Sequence, residues 1–149
     1  MTQDLSLELF GRDNIVFLGI PPTSPHVENL LSRTDFYLTA SNRRVTIRHP
    51  AAGEPASFPR PGDNRRVGIV SVLPGQAAGT RLVILSGTHT SALASFLASP
   101  VTLRDLETYL ARNGAPEYFE IVVAAEVDGF NLLRAAPIAI RPVSASLWK

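Results

Sequence analysis

Two short apolar runs, each leading into a helix start, limit most strongly what this chain folds into. Ile15-Val16-Phe17-Leu18-Gly19-Ile20 is continuous and bounded by turn residues. A run of this length without polar alternation reads as a central strand buried on both faces. Pro21, Pro22, Thr23, Ser24 and Pro25 close it. With Ser24 as N-cap, Pro25 at the first helical position and Val27, Leu30 and Leu31 at helical spacing, a helix is predicted from 25 to about 32. Leu82-Val83-Ile84-Leu85 repeats the theme: it enters Ser86-Gly87-Thr88-His89-Thr90, and a helix comes next, from about 91 to 98. Two strand–loop–helix units predict an α/β class: a single three-layer-like, Rossmann-like domain with a mixed, mostly parallel sheet, antiparallel hairpins and two to three helices.

The remaining segments fill in that expectation. Residues 36–40 and 43–49 are β-prone and separated by Ser41-Asn42, which predicts a hairpin with Val45 and Ile47 on its apolar face and Arg44, Thr46 and Arg48 on the other. Residues 50–64 hold four prolines and two glycines and read as a long loop. Residues 67–73 form another strand. After Ser99-Pro100, Thr102 is the expected cap of a last helix carrying Leu103, Leu106, Tyr109 and Leu110, stopped by Asn113-Gly114. Asp128-Gly129 is the strongest hairpin signal, between 119–127 and 130–140, and Pro137 marks the second arm as an edge or a bulge. The domain is expected over 14–143, with 1–13 an N-terminal linker or extension and 144–149 a tail.

Composition excludes several functions. The 149 residues are 45% hydrophobic and 18% charged, which is globular, and none is cysteine. Disulfides, thiolate metal sites and thiol nucleophiles are therefore absent. His26, His49 and His89 lie on different predicted elements without metal-ligand spacing, so neither a metal nor a cofactor is expected. No apolar run approaches the roughly 20 residues of a membrane span. Asp4 and Glu8 stand where a signal peptide needs positive charge, so the expected location is the cytoplasm. The formal net charge of +1 is uneven: residues 43–66 carry +4 and residues 101–130 carry −4. That pattern favours a small anionic partner or a second copy of the chain, a homodimer, over nucleic acid.

The two strand–loop–helix junctions are the candidate site, because helix starts offer N–H groups and hydroxyls to anions. Pro22, Thr23, Ser24 and His26 come from the first and Gly87, Thr88, His89, Thr90 and Ser91 from the second. Arg44 and Arg66 supply countercharge. The function expected is a non-catalytic regulatory or sensor domain binding a small anionic or nucleotide-like ligand. Two alternatives stay open. One is a nucleotide-processing hydrolase or transferase using Glu28 or His89 as acid–base. The other is a protein–protein interaction or oligomerisation domain.

Three segments carry a resemblance. Residues 17–25 (FLGIPPTSP), 67–75 (VGIVSVLPG) and 82–97 (LVILSGTHTSALASFL), with Phe119-Glu120 before the last hairpin, resemble an uncharacterised bacterial α/β domain. That domain often occurs C-terminal to a winged-helix or helix-turn-helix module. The resemblance implies ligand sensing, and DNA contact only through a module these residues do not include. Pro22 and Ser24 stand where that family has Arg and Asn, and its Gly-Thr-Glu is shortened at Thr90-Ser91-Ala92.

Overall fold

A computed structural model describes residues 14–18, 25–39, 44–87, 90–129 and 131–147. In chain order the elements are β1 (Ile15–Leu18), α1 (Pro25–Leu31), β2 (Phe36–Thr39), β3 (Arg44–Ile47), β4 (Ser57–Phe58), β5 (Arg66–Pro74), β6 (Arg81–Gly87), α2 (Thr90–Ala98), α3 (Pro100–Arg112), β7 (Phe119–Asp128) and β8 (Asn131–Pro142). Strand outweighs helix, 45% to 21%. Five strands form one sheet in the order β1-β6-β5-β7-β8, and β2-β3-β4 form a second.

This corrects the expected fold class. Among the described residues only β1 and β6 run parallel; every other pair is antiparallel. The fold is therefore not a three-layer, mostly parallel Rossmann-like one. The apolar runs that suggested parallel strands report burial on two faces, and here the two covers differ in kind. α2 and α3 pack on one face through Leu93, Phe96 and Leu106, against Val70, Leu85, Ile121 and Val123. The antiparallel β2-β3-β4 sheet covers part of the other, its Phe36, Val45, Ile47 and Phe58 meeting Val67, Ile69, Val122 and Ala124. α1 extends that cover, with Leu30 against Leu73, Leu82 and Ile84. Leu147 joins the same cluster, so the tail expected from 144 packs onto the domain as far as that residue.

Local chemistry explains the individual elements. The β2–β3 hairpin forms as expected, pairing Phe36 with Ile47 and Thr39 with Arg44. The long loop contains one unforeseen strand, β4, whose Phe58 pairs with Val45. The last helix begins two residues before the expected cap. Ser99 is its N-cap and Pro100 opens its first turn. Thr102 lies inside that turn, its hydroxyl donating to the Phe96 and Ser99 carbonyls. At the last hairpin, Asp128 pairs with Asn131. Gly129 takes a φ of 59°, the left-handed value a two-residue turn requires. β8 is an edge strand, as Pro137 implied, and its register shifts twice against β7.

β1 is also a correction. It sits at the sheet's other edge rather than its centre, with Val16 63% and Leu18 68% exposed. Ile15 and Phe17, on the opposite face, pack with α1's cluster. No helix among the described residues is long and apolar enough to cross a membrane.

Candidate functional site

The parallel β1–β6 pair decides where the two junctions lie. Ile15 pairs with Leu82 and Leu18 with Leu85, so both strands finish at the same end of the sheet. β5 runs the other way and begins there. Gly68 pairs with Gly87, which brings Arg66 to the same end.

The Gly68–Gly87 pair seats the next helix. A Cβ on Gly68 would stand 2.7 Å from a Leu93 methyl and 2.9 Å from the Ser86 carbonyl oxygen. A Cβ on Gly87 would stand 3.0 Å from the Gly68 Cα. Two facing glycines let the first turn of α2 press onto the sheet. Arg66 borders a narrow crevice there with Ala92 and Leu93.

A cleft of about 200 Å³ opens on the other face of the sheet, between α1 and β2. Ile69, Ser71 and Ser86 line it from β5 and β6, and Leu31, Phe36 and Leu38 add apolar walls. Ser71 and Ser86 are buried. They interrupt strands that are otherwise apolar on this face. Glu28, Ser32, Tyr37 and Arg48 also line the cleft. The Arg48 guanidinium lies 4.4 Å from the Tyr37 ring centroid and donates to the Thr34 carbonyl at 2.7 Å. Arg48 is thus fixed in place while presenting charge to the cleft.

A second cleft, of about 370 Å³, lies beyond the chain segment that links α1 to β2. Leu31, Ser32 and Phe36 of that segment line the first cleft, and Arg33, Thr34 and Asp35 line the second. Glu120 on β7 holds the segment: its Oε2 accepts the N–H groups of Asp35 at 2.9 Å and Phe36 at 3.3 Å. Burial is the largest influence on this carboxyl and pushes it up to about 6. The two N–H groups and the Thr34 hydroxyl pull it down, and the Asp35 charge raises it. Asp35 in turn accepts from Arg141 Nε at 2.9 Å and from the His49 backbone N–H at 2.9 Å, and its Oδ1 lies 3.0 Å from His49 Nδ1. Arg141 also binds Glu54.

The expected site residues separate into three groups. Gly87 and Arg66 come together at the end of the sheet where β1 and β6 finish. Arg44 does not join them. Its Nε donates to Ser57 Oγ at 3.1 Å and its Nη2 to the Pro59 carbonyl at 2.5 Å, tying β3 to β4 and to the proline just beyond it. Arg48 rather than Arg44 borders the first cleft, because it sits beyond the end of β3 and reaches the Leu31 carbonyl at the end of α1. Pro22, Thr23, Ser24, Thr88 and His89 lie outside the described residues, as do the side chains of His26, Thr90 and Ser91. Glu28 lines the first cleft.

Ser71, Glu120, Asp35 and Arg141 were not anticipated. Two of them had a signal: Ser71 is the one polar side chain in 67–73, and Glu120 the one charged residue in 119–125. A lone polar residue inside a run that otherwise reads as buried marks a place where burial serves something besides packing.

No protein-family model, curated protein or solved structure matches this chain.

Proposed function

We propose that this chain is a non-catalytic regulatory domain that binds a small anionic molecule in the cleft between α1 and β2. The observation that carries the reading is the buried pair Ser71 and Ser86 in an otherwise apolar sheet face. Apolar walls with a few placed polar groups are how small-molecule sites are built. Arg48 supplies the positive charge, and the cleft lies beside the end of β6, where the second junction begins. Its volume of about 200 Å³ is below the roughly 300–1,000 Å³ of drug-sized sites. The occupant is therefore a small carboxylate or phosphate ester, or one ring of a nucleotide.

The test is a thermal-shift screen of small carboxylates, phosphate esters and nucleotides, since a ligand of the folded state raises its stability by mass action. A binder is expected to raise the melting temperature of the native chain and to lose that effect in Ser86→Leu, which fills the cleft. A binder whose effect survives Ser86→Leu and Arg48→Ala overturns the assignment of this cleft.

Glu28 on the cleft wall favours a second reading, acid–base chemistry on a nucleotide. Nucleotide turnover abolished by Glu28→Gln with binding retained would establish it in place of the first.

A further inference from the structure

We infer that the occupant of the cleft between α1 and β2 is a free α-amino acid, held by its carboxylate at Arg48 and by its ammonium group at Glu28. The inference rests on that cleft being the small-molecule site proposed above, and narrows what enters it.

The charges around the cleft come as an unlike pair. Among the described residues, Arg48 and Glu28 are the two charged side chains that line it. Both are exposed, and neither is in an ion pair with the other or with any described residue. Arg48 Nη1 is occupied by the Leu31 and Thr34 carbonyls, at 3.3 and 2.7 Å. Nε and Nη2 take no partner among the described residues. They form the guanidinium edge with two parallel N–H donors, which is the edge a carboxylate fits.

α1 sets the spacing of the pair. Glu28 and Leu31 are three positions apart and share a helix face. Arg48 is fastened to the Leu31 carbonyl, so its guanidinium is held about one helical turn from Glu28, roughly 5 Å along the axis. An α-amino acid carries both of its charges on one carbon and bridges such a gap with one contact on each side.

Ser71 and Ser86 form the floor. They stand diagonally across the β5–β6 pair, Ser71 opposite Ile84 and Ser86 opposite Ile69. They are 1% and 5% exposed, and neither hydroxyl has a partner among the described residues. Yet neither is sealed, since among the described residues the one sealed and unpartnered side-chain oxygen or nitrogen belongs to Glu120. The two hydroxyls are therefore open to whatever fills the cleft. The hydrocarbon of Leu31, Phe36 and Ile69 beside them takes the ligand's side chain.

These features discriminate among ligands. A simple anion at Arg48 meets the Glu28 carboxylate, and a simple amine at Glu28 meets the Arg48 guanidinium. A phosphate ester brings more negative charge than one guanidinium offsets beside a carboxylate. A zwitterion satisfies both groups. A peptide holds its terminal charges at opposite ends, so the free amino acid is the form that fits, and about 200 Å³ limits it to one residue.

The experiment is an amide ¹H–¹⁵N titration of the full chain at pH 7.5 with each of the twenty protein L-amino acids. Every binder is then compared with its deamino carboxylate and its decarboxylated amine; for L-valine these are 3-methylbutanoate and 2-methylpropylamine. Saturable shifts at Ser71, Ser86 and Arg48 are expected with the amino acid, and affinity about tenfold lower for either truncated compound. Glu28→Gln, at an exposed position, should bring the amino acid down to the affinity of its deamino carboxylate without weakening that carboxylate. A deamino carboxylate that binds as tightly as the amino acid, or an anion that shifts these amides when no amino acid does, overturns the inference and leaves the cleft as an anion site. Silence of these amides to every amino acid and to every anion found by thermal shift overturns the cleft as a site, and the inference with it.

Discussion

The two faces of the five-stranded sheet are built from the same strands and differ in what they bury. Under α2 and α3 the contacts are hydrocarbon throughout: Val70, Leu85, Phe119, Ile121 and Val123 against Leu93, Phe96 and Leu106. Under α1 and the small sheet the same strands present Ser71, Ser86 and Glu120, and Thr34 is buried above them. Strand alternation makes the division possible. In β5, Val70 and Val72 face the helices while Ile69 and Ser71 face the other way. A sheet covered twice can devote one face to cohesion and admit polar groups on the other, since the first supplies much of the stability that the second gives up.

Substitutions on each face test that division. The largest effect is expected on the helical side: Phe96→Ala empties a fully buried site and should cost about 3–5 kcal/mol in urea unfolding, with any ligand of the first cleft still bound by the folded fraction. Gly68→Ala comes next, at about 1–3 kcal/mol. Its new Cβ meets the Ser86 carbonyl, which is backbone and yields little, as well as a Leu93 methyl.

On the polar side, Glu120 should govern the pH dependence of stability. Its folded carboxyl sits at about 6 against an ordinary 4.5, so the folded state holds the proton more tightly than the unfolded chain does. The associated stability is fully present below about 4.5 and is lost as pH rises through 6, a change of about 2 kcal/mol. Denaturation curves from pH 4 to 8 should show this decline in the native chain and its absence in Glu120→Gln. An equal decline in both would place the titrating group elsewhere. The smallest effect is expected from Ser71→Ala, within about 1 kcal/mol of the native stability, while ligand affinity in the first cleft falls. A large loss of stability there would mean that Ser71 serves the core, and the contrast between the faces would narrow.

Features set by near neighbours were legible in the sequence. Ser41-Asn42 announced the first hairpin and Asp128-Gly129 the last. Helices start at Pro25, as its local signals predict, and at Thr90, one residue ahead of the start predicted from the hydroxyl-rich stretch. Features that depend on distant partners were not legible. The run at 15–18 reads as buried on both sides, yet its place at an edge depends on which strand adds beyond it, and Val16 and Leu18 carry no mark of that. Strand direction is hidden for the same reason: Val, Ile and Leu runs record double burial, and a three-stranded sheet provides that as well as helices do. β4 has two residues, too few for any period to show. The second cleft joins Asp35, His49, Glu120 and Arg141 from four separate stretches of chain, so no local pattern contains it. Ser86 stood within the junction singled out, but its burial against α1 comes from a helix some 60 positions earlier.

The segment between α1 and β2 has one further consequence. It is a partition held in common, with Leu31 and Phe36 looking into one chamber and Arg33 and Asp35 into the other. A single carboxylate on β7 pins it by two amides. Two compartments that share a wall are coupled to the extent that an occupant of one shifts that wall. Whatever factor an occupant of one applies to its neighbour's dissociation constant, the neighbour applies in return. Glu120 is the point on which any such coupling would turn, since both of its amide bonds are made to that shared segment.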